Sequence, residues 1–144
     1  MHVTEFERIA NERKSGKPRP VEIRVQRYER IFVSAYNYMM GKPEKPDASD
    51  DLSKEVFEAC KADKQSMFFG MPVDEPRLKR IFRICYDLLD KYKDGVPDSA
   101  YEQAEIYRYW KAKFNKDTDR DDRLAGSMFG ACLGELQRQY RGQI

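Results

Sequence analysis

The sequence predicts an all-α protein, a single-domain bundle of about five to six helices around a buried C-terminal helix that carries a ridge of glycines. Apolar residues recur at helical spacing along most of the chain, and no two segments look like strands that could pair. The 144 residues suit one domain, and the 40% apolar fraction is too high for a disordered chain. We expect residues 1–20 to form a short helix and a basic, proline-containing connector, and residues 21–144 to form the bundle.

The beginning of the chain is predicted to be helical, then extended, then helical again. Thr4 and Glu7 have the spacing of a capping box, so the first short helix is expected to begin there. The prolines of the KSGKPRP stretch that follows are incompatible with regular helix. Residues 21–40 then have a helical apolar pattern, although residues 21–25 alternate and are also compatible with a short strand.

Two helices are predicted in the middle of the chain, over residues 51–64 and between a capping Asp74 and Gly95. The second of them carries cations on its outer side near its N-terminal end, where they oppose the helix dipole. These cations are Arg77, Lys79, Arg80 and Arg83. We expect them to meet an anion, and the acidic residues 46–75 are the nearest candidate.

A further helix is predicted after Ser99, which forms a second capping box with Glu102. On a helical wheel, one aromatic residue of this helix, Tyr109, points outward among charged residues. An exposed tyrosine in such a position is a candidate for contact with a partner protein. The side chains expected to face inward are Ile106, Tyr107, Trp110 and Phe114.

The last helix, over residues 123–141, has no charged residue from Leu124 to Gly134. One wide side of it is apolar, and the opposite side carries the glycine ridge, which consists of Gly126, Gly130 and Gly134. Each glycine costs about 1 kcal/mol against alanine in a helix interior, so we expect another backbone to approach closely there. Packing against a helix of the same chain is the expected reason, and a homodimer contact through the ridge is the alternative.

A second candidate for binding a partner protein, besides Tyr109, is a run of large apolar residues around Gly70. Such side chains usually lie in the core, but when exposed they form a plug that docks on a partner. The run consists of Met67, Phe68, Phe69 and Met71.

A cationic arm near the beginning of the chain is the candidate for contacts with nucleic-acid phosphates. The arm consists of Arg13, Lys14, Lys17, Arg19, Arg24, Arg27 and Arg30. The nearly balanced net charge of +2 and the absence of a nucleic-acid-binding sequence motif argue against this reading.

The sequence contains no recognisable arrangement of residues for catalysis or metal binding. The one histidine, His2, lies at the terminus, so a serine or cysteine nucleophile would lack its usual base. Cys60, Cys85 and Cys132 are too widely spaced for a zinc motif and are typical of buried free thiols in a reducing compartment. Residues 117–128 lack the glycine and the glutamate of a calcium loop, and there is no glycine-rich nucleotide motif. We expect no cofactor and no metal.

The function expected from these patterns is that of a small, soluble, non-enzymatic protein that binds another protein. Adaptors, inhibitors and assembly factors of phages and mobile elements have this general character. The alternative is a nucleic-acid-binding accessory protein that uses the basic arm. We expect a cytoplasmic protein without a membrane segment, because there is no secretory signal and the uncharged run of 11 residues is much shorter than a membrane span.

Overall fold

The computed structural model describes residues 20–66, 71–97, 99–118 and 122–143, and its side chains from Ile23 to Gln139 within those ranges. Over these ranges the protein is an all-helical bundle, as predicted. The described helices are α1 (Pro20–Met39), α2 (Asp51–Ser66), α3 (Glu75–Lys91), α4 (Ala100–Asp117) and α5 (Arg123–Gln143). The helix predicted to begin at Thr4 and the basic connector lie outside the described residues. None of the described helices is long and apolar enough to cross a membrane.

The ends of the helices follow the signals in the sequence. Residues 21–25 are part of α1, so the strand alternative is wrong for them. The Asp74 side chain caps α3 by accepting a hydrogen bond from the backbone N–H of Arg77 at 3.1 Å. Ser99 caps α4 in the same way. Gly41, after α1, has φ +91°, a left-handed conformation that glycine adopts without strain.

Helix α5 lies at the centre of the bundle and contacts each of the other four described helices. It packs closely along α2 and α3, while a buried ion pair joins it to α1 and stacked rings join it to α4. Its predicted apolar side is confirmed as part of the core. The buried members of that side are Leu124, Ala125, Met128, Phe129, Cys132 and Leu136.

Two glycines of the ridge on α5 are open to solvent, so the predicted close packing within the chain is wrong at Gly126 and Gly130. Both residues are exposed, and a Cβ atom added to either would meet no described atom within 4 Å. At Gly134 an added Cβ would make ordinary contacts with Arg138 at 3.5 Å and Glu55 at 3.6 Å. No described helix covers Gly126 and Gly130, whereas Gly134 lies beside Glu55 of α2.

Replacing Gly126 or Gly130 by alanine is therefore expected to raise the free energy of unfolding by about 1 kcal/mol each, because alanine favours the helix and meets no obstacle. Urea unfolding followed by circular dichroism measures this change. Gly41→Ala is the matched control and should be destabilising, because its φ of +91° strains any residue with a Cβ. A loss of stability in the Gly130 variant would show that the ridge is packed.

Candidate functional site

Helix α4 is held to the bundle by few side chains. Only Trp110 and Phe114 among its 18 residues are buried. The indole N–H of Trp110 donates a hydrogen bond to the hydroxyl of Tyr92 at 3.1 Å. The ring of Phe114 stacks on the ring of Phe129, with 4.8 Å between the ring centroids. Because these anchors are one turn apart on a narrow line, most of the circumference of α4 faces solvent.

Three tyrosines of α4 are exposed, to 72% at Tyr101, 42% at Tyr107 and 62% at Tyr109. The predicted exposure of Tyr109 is confirmed. The prediction that Tyr107 faces inward is wrong, although its ring centroid lies 6.4 Å from that of Phe129. Tyr107 is about 60° around the helix from Trp110, which places it at the edge of the narrow contact line.

The stretch of α4 around Tyr107 and Tyr109 combines these two tyrosines with positive charge. Residues 106–116 contain four cations and no carboxylate. Lys111 lies 5.3 Å from the centroid of Tyr107, within the range of a cation–π interaction. Arg108 pairs with Glu105 at 2.5 Å, but both side chains are largely exposed, so water screens this ion pair.

A groove opens between α4 and α5, which touch through side chains rather than by close approach of their backbones. Its volume is about 140 Å³ and its lining is mainly apolar. The lining residues are Val96, Gln103, Ile106, Tyr107, Leu133, Leu136 and Gln137. The sequence did not indicate this groove, since its walls come from three separate segments of the chain.

Only Met71 of the predicted apolar plug lies within the described residues, because Met67, Phe68 and Phe69 fall in the undescribed range 67–70. The side chain of Met71 is 51% exposed just before α3. Met71 is thus available for contact with a partner, and the plug as a whole stays a prediction.

The basic arm is only partly described, and its described members have different surroundings. Arg30 is exposed, and Arg24 donates a hydrogen bond to the backbone carbonyl of Lys93. Arg27 is bound by carboxylates of the same chain, so the prediction that it contacts phosphates is wrong. The members outside the described residues are Arg13, Lys14, Lys17 and Arg19.

The guanidinium of Arg27 lies between two carboxylates of the same chain. It contacts Asp50 at 2.5 Å, before α2, and Glu135 at 2.7 Å, in the middle of α5. Glu135 is only 4% exposed and also accepts a hydrogen bond from the Tyr28 hydroxyl at 3.1 Å. Since the N–H groups of the Arg27 guanidinium are bound by these two carboxylates, this side chain has a structural role.

The charges of this cluster stay fixed near neutral pH. The hydrogen bond from Arg27 lowers the pKa of Asp50. Burial raises the pKa of Glu135, but the hydrogen bonds and charge of Arg27, with help from Gln139 and Tyr28, outweigh burial and leave the pKa lowered. Burial and the nearby Glu135 carboxylate raise the pKa of Tyr28. These groups therefore keep one protonation state near neutral pH.

A second half-buried arginine explains part of the cation pattern at the start of α3. Arg77 contacts Asp63 at 3.0 Å and Asp122 at 2.7 Å, and Lys79 pairs with Glu75 at 3.0 Å. The expectation that these cations meet the acidic residues 46–75 is confirmed for Arg77 and Lys79. Asp122 also accepts a hydrogen bond from the backbone N–H of Ala125 in the first turn of α5, so it caps this helix.

The three cysteines are free and buried, as predicted. Burial, with a smaller effect of Asp63, raises the pKa of the Cys60 thiol to about 12. Contact with Cys85 and burial raise the pKa of Cys132 as well. Neither thiol is activated as a nucleophile. Among the described residues, no group of three or more histidines, cysteines and carboxylates is placed to hold a metal ion.

Comparisons with family models, with curated proteins and with solved structures found no match to this chain.

Arg27→Ala is expected to lower the free energy of unfolding by about 3 kcal/mol, because it leaves Glu135 buried without its cation. The expected loss lies at the low end of the usual range for a broken buried ion pair, because 26% of the Arg27 side chain is exposed. Urea unfolding measures the loss. The control Arg108→Ala removes an exposed ion pair and should cost no more than about 0.5 kcal/mol. An equally small decrease in the free energy of unfolding for Arg27→Ala would contradict the structural role of Arg27.

The same cluster sets a pH dependence. Asp50 and Glu135 have lowered pKa values in the folded protein, so the stability they contribute is complete above their ordinary values of 3.8 and 4.5. It is lost as the pH falls through the lower folded values. Unfolding measured from about pH 7 down to about pH 3 should show a steep loss of stability below about pH 4. The Arg27→Ala variant should lose less over that range, and parallel curves would contradict the assignment.

Proposed function

We propose that this protein acts by binding another protein, without catalysing a reaction, and that the open side of α4 is its docking surface. The observation that carries the proposal is the exposure of Tyr101 and Tyr109 on a helix that is anchored by two buried side chains. An adaptor, inhibitor or assembly factor, such as phages and mobile elements encode, fits this mode of action. Its three free cysteines suit the reducing cytoplasm.

The tyrosines are arranged so that one partner surface can contact both. Eight residues separate Tyr101 from Tyr109, which corresponds to a rise of about 12 Å and a rotation of about 80° along α4. Arg108 projects from the same side of the helix. Tyrosine and arginine are among the residues that contribute most to the binding energy of protein interfaces.

Tyr109 is partly ordered before any partner binds. Its ring meets the buried ring of Trp110 edge-on, with 5.5 Å between centroids. A side chain that is already restricted loses less conformational entropy on binding, and this leaves more of its contact energy for affinity. Tyr109 is therefore the expected centre of the interface.

The charge of the helix indicates the chemistry of the partner. The side of α4 that presents Tyr101 and Tyr109 carries charges of both signs, because Glu102 and Glu105 lie there together with Arg108 and Lys116. A protein surface with acidic and basic groups around an apolar patch therefore complements it. The exposed Met71 is a second apolar group that such a partner could cover.

The double variant Tyr101→Ala, Tyr109→Ala is expected to fold with unchanged stability and to weaken partner binding by about tenfold or more, which is typical for the loss of interface anchors. Quantitative affinity capture from a lysate of the source cells, followed by Kd measurement with the captured protein, tests this. Val33→Ala is the matched control, since Val33 is 59% exposed on α1. Equal capture by wild type and double variant would refute α4 as the docking surface.

A second candidate function is binding of single-stranded nucleic acid. Exposed tyrosines interleaved with Arg108, Lys111 and Lys116 on α4 are the favouring observation, since bases stack on aromatic rings while cations contact phosphates. Fluorescence anisotropy of labelled single-stranded DNA, RNA and duplex DNA at two salt concentrations distinguishes the two functions. Binding that weakens steeply with salt and is lost in the tyrosine double variant would favour nucleic acid.

A further inference from the structure

We propose that the groove between α4 and α5 binds a peptide segment of the partner that inserts one large apolar side chain and carries acidic residues beside it. The inference rests on the proposed protein-binding function and adds a second contact, on the opposite side of α4 from Tyr109. It is carried by the shape, the lining and the charge of the groove.

The groove has the size and the chemistry of a pocket for one side chain. Its floor is the buried Leu136, and its walls are the half-buried Val96, Ile106 and Leu133. The volume of about 140 Å³ is close to that of an apolar cavity of about 150 Å³ that holds benzene. A leucine or phenylalanine side chain of a partner therefore fits it, and burial there removes apolar surface of both molecules from water.

Few polar groups compete for the interior of the groove. The side-chain amide of Gln103 already donates to the carbonyl of Pro97 at 2.7 Å, which holds the helix end against the preceding loop. Gln137 is exposed at the rim of the other wall. An apolar anchor consequently enters the groove without leaving a buried polar group unpaired, and Gln137 can pair with the backbone of the bound segment.

The exposed glycines of α5 leave the approach to this groove open. Gly130 and Gln137 are seven residues apart, so they lie on the same edge of α5 two turns from each other, with Gly126 one turn further on. An added Cβ at either glycine meets no described atom within 4 Å. A bound segment can thus lie close to the α5 backbone next to the groove, as glycine edges permit.

The charge beside the groove favours carboxylates on the bound segment. The ammonium of Lys111 lies 3.2 Å from the hydroxyl of Tyr107, at the α4 wall of the groove. The α5 residues that line the groove are uncharged, and Glu135 between them is buried and paired with Arg27. Glu102 and Glu105 project from α4 more than about 100° away from Tyr107, on the other side of the helix. Acidic groups next to the apolar anchor are therefore attracted by Lys111 and are not repelled by these carboxylates.

The test is selection of peptides from a random library, 12 residues long, displayed on phage against the immobilised full chain. Peptides with one leucine, phenylalanine or tryptophan next to aspartate or glutamate should be enriched. The strongest peptide is then synthesised with a fluorescent label, and its Kd is measured by anisotropy. Exchange of its acidic residues for lysine should weaken binding by about tenfold or more.

Three variants locate the binding site of this peptide. Gly130→Phe adds a bulky side chain to the open edge of α5, where the Cβ meets no described atom within 4 Å. Leu133→Asp places a charge in the groove wall, and Lys111→Glu reverses the charge beside it. Each variant should raise the Kd of the peptide by about tenfold or more. Val33→Asp on α1 is the matched control and should leave the Kd unchanged, and thermal unfolding confirms that every variant is folded.

Several outcomes would overturn the inference. Enrichment of basic or purely polar peptides would do so, as would acidic peptides whose Kd is the same for wild type, Gly130→Phe and Leu133→Asp. A homodimer in light scattering that Gly130→Phe dissociates would assign the edge to a second copy of the chain. Partner capture that depends on Tyr101 and Tyr109 but not on the groove variants would leave the proposed function standing and refute only this site.

Discussion

The ion pairs of Arg27 connect parts of the chain that no backbone hydrogen bond joins. Its guanidinium belongs to α1, and its two carboxylates lie before α2 and in the middle of α5. Because Glu135 is almost completely buried, the position of α5 against α1 is acceptable only while this cation is present. Among the helix arrangements that the apolar sides allow, the pair therefore favours those that keep Arg27 beside Glu135.

Helix α4 is attached by a different kind of contact. Trp110 and Phe114 hold it through rings, and its remaining surface contributes little to the core. A helix with so few buried side chains adds less to stability than the other helices, yet it carries the largest group of exposed tyrosines in the described part of the chain. That combination is expected where a helix serves a contact outside the bundle, since surface retained for binding cannot also be buried.

The glycines of α5 point in the same direction. At Gly126 and Gly130 no described part of the chain packs closely against the helix, so the conformational cost of these two glycines is not offset by contacts within the described bundle. Departures from a local rule are expected at functional sites, where stability is given up for a surface of a required shape. The open glycine edge and the apolar groove lie beside each other on α5, which makes this side of the helix the counterpart of α4 in the proposed docking region.

The sequence by itself determined the all-helical class, the places where α3 and α4 begin, the apolar side of α5 and the exposure of Tyr109. These features depend on capping residues and on a spacing of 3.6 residues per turn, which act over one or two turns. Only the tertiary structure decided that Arg27 pairs with a glutamate 108 residues away, that Tyr107 lies at an open edge and that no described helix covers Gly126 and Gly130. A helical wheel shows which side of a helix can be buried, but the neighbours that cover it are chosen by long-range packing, because they must fit all of the helices at once.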